Sequence, residues 1–151
     1  MNLTENIQYV TWPETHYIFV ERVGPIPSNA PQTWQAFHQV LPQLKNNAEI
    51  TGFLSLYDMN AQIYRAGASA ARKPTNLPAS LRYEHFKGGK YARFVLTGPY
   101  ADLGAATSRV VQIVSEKKIP LRAAYHIEYY VNDPETTPED KLVTEILFPV
   151  S

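Results

Sequence analysis

The run Ile7 to Trp12 reads as a short strand, broken by Pro13-Glu14. His16 to Val23 is a β-branched and aromatic run closed by Gly24-Pro25, which predicts a second strand. Trp34, Phe37, Leu41 and Leu44 then recur at spacings of three and four, the single apolar stripe of a helix. Pro31 is expected in the first turn of that helix, where its missing N–H costs nothing, and Pro42 should bend or weaken the later part. Gly52 to Asp58 and Ala61 to Ala68 read as two strands joined by a tight turn at Met59-Asn60. The same succession follows again. Leu81 to Phe86 and Lys90 to Thr97 are predicted strands, separated by Gly88-Gly89 as a hairpin turn. Leu103, Ala106, Val110, Ile113 and Val114 form a second helical stripe. Ala124 to Val131 and Lys141 to Val150 close the chain as strands flanking a polar loop, 132–140.

The recurrence extends to residues. Tyr17-Ile18-Phe19-Val20-Glu21-Arg22-Val23-Gly24-Pro25 and Tyr91-Ala92-Arg93-Phe94-Val95-Leu96-Thr97-Gly98-Pro99 are alike at an offset of 74 positions. Tyr9 with Tyr83, Ile7 with Leu81 and Trp12 with Phe86 share that offset. Carried forward, it sets Phe53–Tyr57 on Ile127–Val131, and Glu128 on Leu54. Each half reads strand, strand, helix, strand, strand. The expected fold is α+β: two ββαββ units related by a pseudo-two-fold, with antiparallel sheets and two helices around a pocket. The halves span about 7–70 and 81–151. The connector between them, with Pro74 and Pro78, is too short to separate independent domains, so one domain over 1–151 is expected.

Composition narrows the function. With 151 residues, 44% hydrophobic and 19% charged, the chain suits a globular domain. Fourteen basic residues balance fourteen acidic ones, and the only basic clusters are pairs such as Arg72-Lys73 and Lys117-Lys118, which argues against direct nucleic-acid binding. There are no cysteines, so disulfides and thiolate chemistry are excluded. The polar start Met1-Asn2-Leu3-Thr4-Glu5-Asn6 is not a secretory signal, and no apolar stretch is long enough for a membrane span; the cytoplasm is the expected location. Aromatic residues reach 12%, ten of them tyrosines, a type suited to strand surfaces and to pocket walls.

Glu128 is the residue that a strand pattern does not explain. In Tyr125-His126-Ile127-Glu128-Tyr129-Tyr130-Val131, alternation puts His126, Glu128 and Tyr130 on one face. A carboxylate there is either exposed to solvent, paired with an arginine or with His126, or placed for a ligand. His16, His38, His85 and His126 lack metal-site spacing, so no metal or cofactor is expected; His38, a residue that could hold haem, lies off the helical stripe. Trp34, Tyr57, Tyr100 and Tyr130 suit either the core or a pocket wall, and Asp58 and Asp133 suit turns. No Ser-His-Asp order, phosphate loop or paired carboxylates can be read from the chain.

Three segments resemble one family. Gly89-Lys90-Tyr91-Ala92-Arg93-Phe94-Val95-Leu96-Thr97-Gly98-Pro99-Tyr100, Ile127-Glu128-Tyr129-Tyr130-Val131-Asn132-Asp133-Pro134 and Thr144-Glu145-Ile146-Leu147-Phe148-Pro149-Val150 are similar to the strand-turn signature, the acidic ligand-site strand and the closing strand of GyrI-like proteins. That family includes effector-binding domains of drug-sensing transcription activators and DNA gyrase inhibitor proteins. The resemblance implies a pseudo-two-fold α+β domain that binds hydrophobic, often cationic or aromatic compounds, with Glu128 meeting the ligand. It also implies two alternatives: hydrolysis of strained cyclopropane-containing electrophiles with Glu128 as catalytic base, or a protein partner such as gyrase. No helix-turn-helix precedes residue 7, so DNA binding in the activators' manner is not expected. The reading is a stand-alone small-molecule-binding protein, with Glu128, Tyr130, Trp34, Tyr57, Tyr100 and His126 as ligand residues.

Overall fold

The computed structural model describes residues 1–151. In chain order the elements are β1 (Asn2–Trp12), β2 (Thr15–Val23), α1 (Ile26–Leu44), β3 (Ile50–Asp58), β4 (Ile63–Ala70), β5 (Arg82–Phe86), β6 (Gly89–Thr97), α2 (Leu103–Glu116), β7 (His126–Tyr130) and β8 (Val143–Pro149). The predicted order of strands and helices is therefore present twice, and the fold is α+β. No helix is long and apolar enough to cross a membrane.

The chain divides into two compact units that do not coincide with its two sequence halves. The terminal unit is Met1–Trp12 with Gly89–Ser151, and the middle unit is Pro13–Gly88. In the terminal unit the antiparallel order is β1-β6-β8-β7; in the middle unit it is β3-β4-β2-β5. If the strands of each half are numbered one to four, both sheets read one-two-four-three, and strand one always comes from the opposite half. The register repeats as well. Trp12 faces Gly89 and Tyr9 faces Ala92, while 74 positions away Phe86 faces Thr15 and Tyr83 faces Ile18.

This exchange corrects the hairpin expected at Gly88-Gly89. β5 pairs with β2, and β6 pairs with β1 and β8. The two glycines, at φ 71° and 118°, instead carry the chain from one unit to the other in a conformation that side-chain-bearing residues seldom adopt. Two further expectations are corrected. α1 begins at Ile26, so Pro31 lies inside it rather than in its first turn; its exposed position lets water satisfy the carbonyl that loses a partner. The β3–β4 turn runs through Ala61 and Gln62, because Asp58 Oδ1 accepts from the N–H groups of Asn60 and Ala61 at 3.0 Å each and Gln62 sits at φ 54°.

Each helix covers one face of its sheet, with complementary volumes. In the middle unit, Phe37 and Leu44 of α1 are fully buried in one cluster with Ile18, Ala66 and Ala68, so large helix residues find room over the two alanines of β4. In the terminal unit, Ala106, Val110, Ile113 and Val114 of α2 meet Phe94, Leu96, Ile146 and Phe148, the reverse arrangement. Each large side chain buried this way contributes about 1.5–3 kcal/mol. The opposite face of the middle sheet holds a polar network within its core: Arg65 bonds Glu21 at 2.8 Å and Glu84 at 2.9 Å, and lies 4.4 Å over the Phe19 ring.

Candidate functional site

α2 lies over β1 and β6, so the part of the same sheet face that β7 forms is only half-buried. The residues on that face are His126, Glu128 and Tyr130, as strand alternation predicts. Glu128 stands directly opposite Ile146 and Tyr130 opposite Thr144, and Ile146 belongs to the α2-covered core. Glu128 is thus a carboxylate at the border of an apolar core.

Its surroundings offer little compensation. The Tyr130 hydroxyl donates to Glu128 Oε1 at 2.6 Å, and Glu128 takes part in no ion pair. Burial pushes the carboxyl above its usual range, and the Tyr130 bond opposes this without cancelling it. Of the alternatives open from the sequence, pairing with arginine or His126 is therefore not what the structure holds.

Tyr100 joins the group from the short 3₁₀ turn Tyr100–Asp102 that precedes α2. Its ring meets Tyr130 edge-on, centroids 5.5 Å apart. Burial raises the Tyr100 phenol, and the negative charges of Asp133 and then Glu128 raise it further. Two carboxylates and two tyrosines thus make a locally negative, aromatic surface. His126 packs edge-on against Phe148 at 4.5 Å, part of the wall beside Glu128.

Trp34 and Tyr57 belong to the middle unit. Trp34 Nε1 donates to Ser55 Oγ at 3.1 Å and to the Tyr64 hydroxyl at 2.9 Å, and the Tyr57 and Tyr64 rings stack. This cluster is the repeat's counterpart of the Glu128 group. Phe19 faces Gly67 and Arg93 faces Leu147; from those anchors Leu54 matches Ile127, Ser55 matches Glu128, and Tyr57 matches Tyr130. The pairing of Glu128 with Leu54 expected from the constant offset is therefore one residue out, because the second half is one residue shorter between its second and third strands. A neutral hydroxyl, held by Trp34 and Tyr64, occupies in one sheet the place that a charged group holds in the other.

Sequence reasoning missed Ser55 and Tyr64 for that reason. It also missed Thr144, whose buried Oγ1 has no hydrogen-bond partner and lies across from Tyr130. The signal was available: Thr144 is a polar residue on the side of β8 whose other positions, Ile146 and Phe148, are apolar and core-facing. Asp58 and Asp133 are turn residues as expected, with Asp133 Oδ1 accepting from the Glu135 N–H at 2.8 Å.

A carboxylate with one oxygen held by a phenol, no counter-cation and aromatic neighbours can attract an organic cation or accept a proton. No group of three or more metal-binding side chains is assembled in the structure.

Comparison with known proteins agrees on the fold. The chain is similar to the EcmrR C-terminal domain, with a TM-score of 0.77 at 17% identity over 97% of each chain. It covers 57% of EcmrR in that protein's complex with DNA. It is similar to SAV2435 bound to tetraphenylphosphonium, with a TM-score of 0.73 at 17% identity, covering 97% of this chain and 94% of that one. A hydrolase from Listeria innocua matches at a TM-score of 0.59 and 12% identity, covering 97% and 92%. Among curated proteins, none matches by sequence. The model of the GyrI-like small molecule binding domain matches residues 5–151, and with the duplicated sheets and the acidic strand in place, the chain belongs to that family of small-molecule-binding domains.

Proposed function

We propose that this protein binds hydrophobic organic cations, and that Glu128 selects for their charge. The observation that carries the reading is the state of Glu128: half-buried, hydrogen-bonded to the Tyr130 hydroxyl, and joined to no lysine, arginine or histidine. A carboxylate in such a place lacks part of its hydration, and a bound cation restores the lost interaction. Tyr100 and Tyr130 add ring faces worth about 0.5–2 kcal/mol to a cation placed over them. The fold shared with SAV2435, a protein bound to tetraphenylphosphonium, supports an aromatic cation as the ligand class.

Tetraphenylphosphonium and a neutral triaryl compound of similar size, titrated into wild type and Glu128→Gln, test this reading. The cation should lose more than tenfold in affinity, about 1.4 kcal/mol, while the neutral compound loses much less. Equal losses, or none, would remove Glu128 from the ligand site.

One observation favours a second reading. A carboxyl raised by burial is better matched to proton transfer near neutrality than an ordinary one, as a general base for water attacking a strained electrophile requires. Turnover of a cyclopropane-bearing electrophile by wild type, abolished in Glu128→Gln with binding retained, would establish it; binding without product supports the binding protein.

A further inference from the structure

The exposed end of the middle sheet holds a second cluster of chemistry-bearing side chains, in the other unit from Glu128. His16 on β2 and His85 on β5 are directly opposite residues of an antiparallel pair. Their rings lie 5.5 Å apart and tilt by only 25°. β5 ends its sheet, so His85 is exposed and His16 half-buried. His16 Nδ1 is 2.6 Å from the Tyr83 hydroxyl, on the same strand and face as His85.

We propose that His16 and His85 form a binding site for a borderline divalent transition ion, Cu²⁺ foremost and Zn²⁺ more weakly. Directly opposite residues have Cβ atoms about 4.5–5.5 Å apart, and imidazole binds such ions at about 2.0–2.1 Å. Small side-chain rotations bring one nitrogen of each ring onto a single ion. Tyr83 decides which nitrogen of His16 is used. With Nδ1–H donating to the phenol oxygen, Nε2 presents its lone pair, the outer-sphere arrangement that orients metal-bound histidines. His85 faces solvent and is free to complete the pair, while water fills the remaining positions. Imidazole pairs prefer Cu²⁺ over Ni²⁺ and Zn²⁺, and have little affinity for hard ions such as Mg²⁺. Lys73, whose Nζ lies 5.4 Å from the Tyr83 ring centroid, is the nearby positive charge that tempers affinity. Because the ion would tie β5 to β2, occupancy should stabilise the fold through linkage.

The test is a titration of the full chain with Cu²⁺, Zn²⁺ and Mg²⁺ chlorides, followed by calorimetry and by the histidine ring signals in NMR. Sub-stoichiometric Cu²⁺ should broaden His16 and His85 together, ahead of His38 and His126. His85→Gln, an exposed position with its fold checked by circular dichroism, should weaken Cu²⁺ at least tenfold and remove the rise in Tm caused by Zn²⁺. His38→Gln should change neither. Broadening spread over all four histidines, or a His85→Gln protein that binds Cu²⁺ as tightly as wild type, would overturn the proposal.

Discussion

Replacing Glu128 by Gln should make the protein more stable at neutral pH and, on the proposed function, weaken its binding of organic cations. Gln keeps the shape and still offers an oxygen to Tyr130, but carries no charge. In wild type the ionised carboxylate has surrendered part of its hydration and recovered one charge-assisted bond, of 2.6 Å. Such a bond is worth about 1.5–3 kcal/mol, and desolvating a charged group costs about as much or more. The raised carboxyl shows that burial outweighs the bond. The net gain on removing the charge is therefore on the order of 1 kcal/mol, or about 2–4 °C in Tm for a chain of this size. The sign follows from proton linkage. Because the folded-state pKa lies above the unfolded one, the native state holds its proton longer, and stability falls as pH rises from the ordinary carboxyl value of 4.5 through the raised one. Thermal melts of both proteins from pH 4 to pH 8 should show equal stability at the acid end and a growing advantage for the variant above it. A variant that is less stable at pH 7, or an offset that does not change with pH, would refute the account of an uncompensated carboxylate.

Three other substitutions probe separate links. Tyr130→Phe should cost about 1.5–3 kcal/mol at pH 7 in wild type but much less in the Glu128→Gln background, measured as a double-mutant cycle by chemical denaturation. Arg65→Met should destabilise by about 1–3 kcal/mol, because Glu21 and Glu84 both lose the buried guanidinium and only the exposed Arg82 remains to pair Glu21. Burial alone would raise the Glu21 carboxyl, but Arg65 and then Arg82 hold it below its usual range, so part of this loss should fade as pH falls through the carboxylate range; a loss constant down to pH 3 would contradict that origin. Gly67→Ala should give a protein that fails to melt cooperatively: its Cβ would lie 2.2 Å from the Ile18 carbonyl oxygen and 2.8 Å from Phe19 Cβ, and backbone cannot yield as a flexible side chain can.

The sequence made the element order legible because its punctuation is strong. Gly24-Pro25 and Gly98-Pro99 end strands, and the spacing of Trp34, Phe37, Leu41 and Leu44 suits only a helix. Pairing was not legible. A Gly-Gly between two strand-like runs looks the same whether the chain turns back or crosses to another unit, and only the partners of β5 and β6 distinguish the cases. Glu128 was legible as an anomaly, since an apolar run tolerates a carboxylate only with a reason. Its counterpart Ser55 was not, because a single deletion shifts a period-two pattern to the wrong face. The bond from Tyr130 to Glu128 joins residues two apart on one face and was open to inference. The approach of Tyr100, from a turn outside the strand, was not.

The exchange of first strands between the sequence halves has a consequence during synthesis. β1 is made first, yet its partner β6 begins only at Gly89. At about 5–20 residues per second, the chain waits on the order of 4–15 s before that partner leaves the ribosome. For that interval an eleven-residue strand stands with its backbone donors and acceptors unclaimed. Its composition suits the delay: Asn2, Thr4, Glu5, Asn6, Gln8 and Thr11 interrupt every apolar run, leaving no sticky window for neighbouring nascent chains. The middle unit, from Pro13 to Gly88, is contiguous and can close as soon as β5 emerges. Assembly should thus be vectorial, with the terminal unit, which carries Glu128, completed after the middle one.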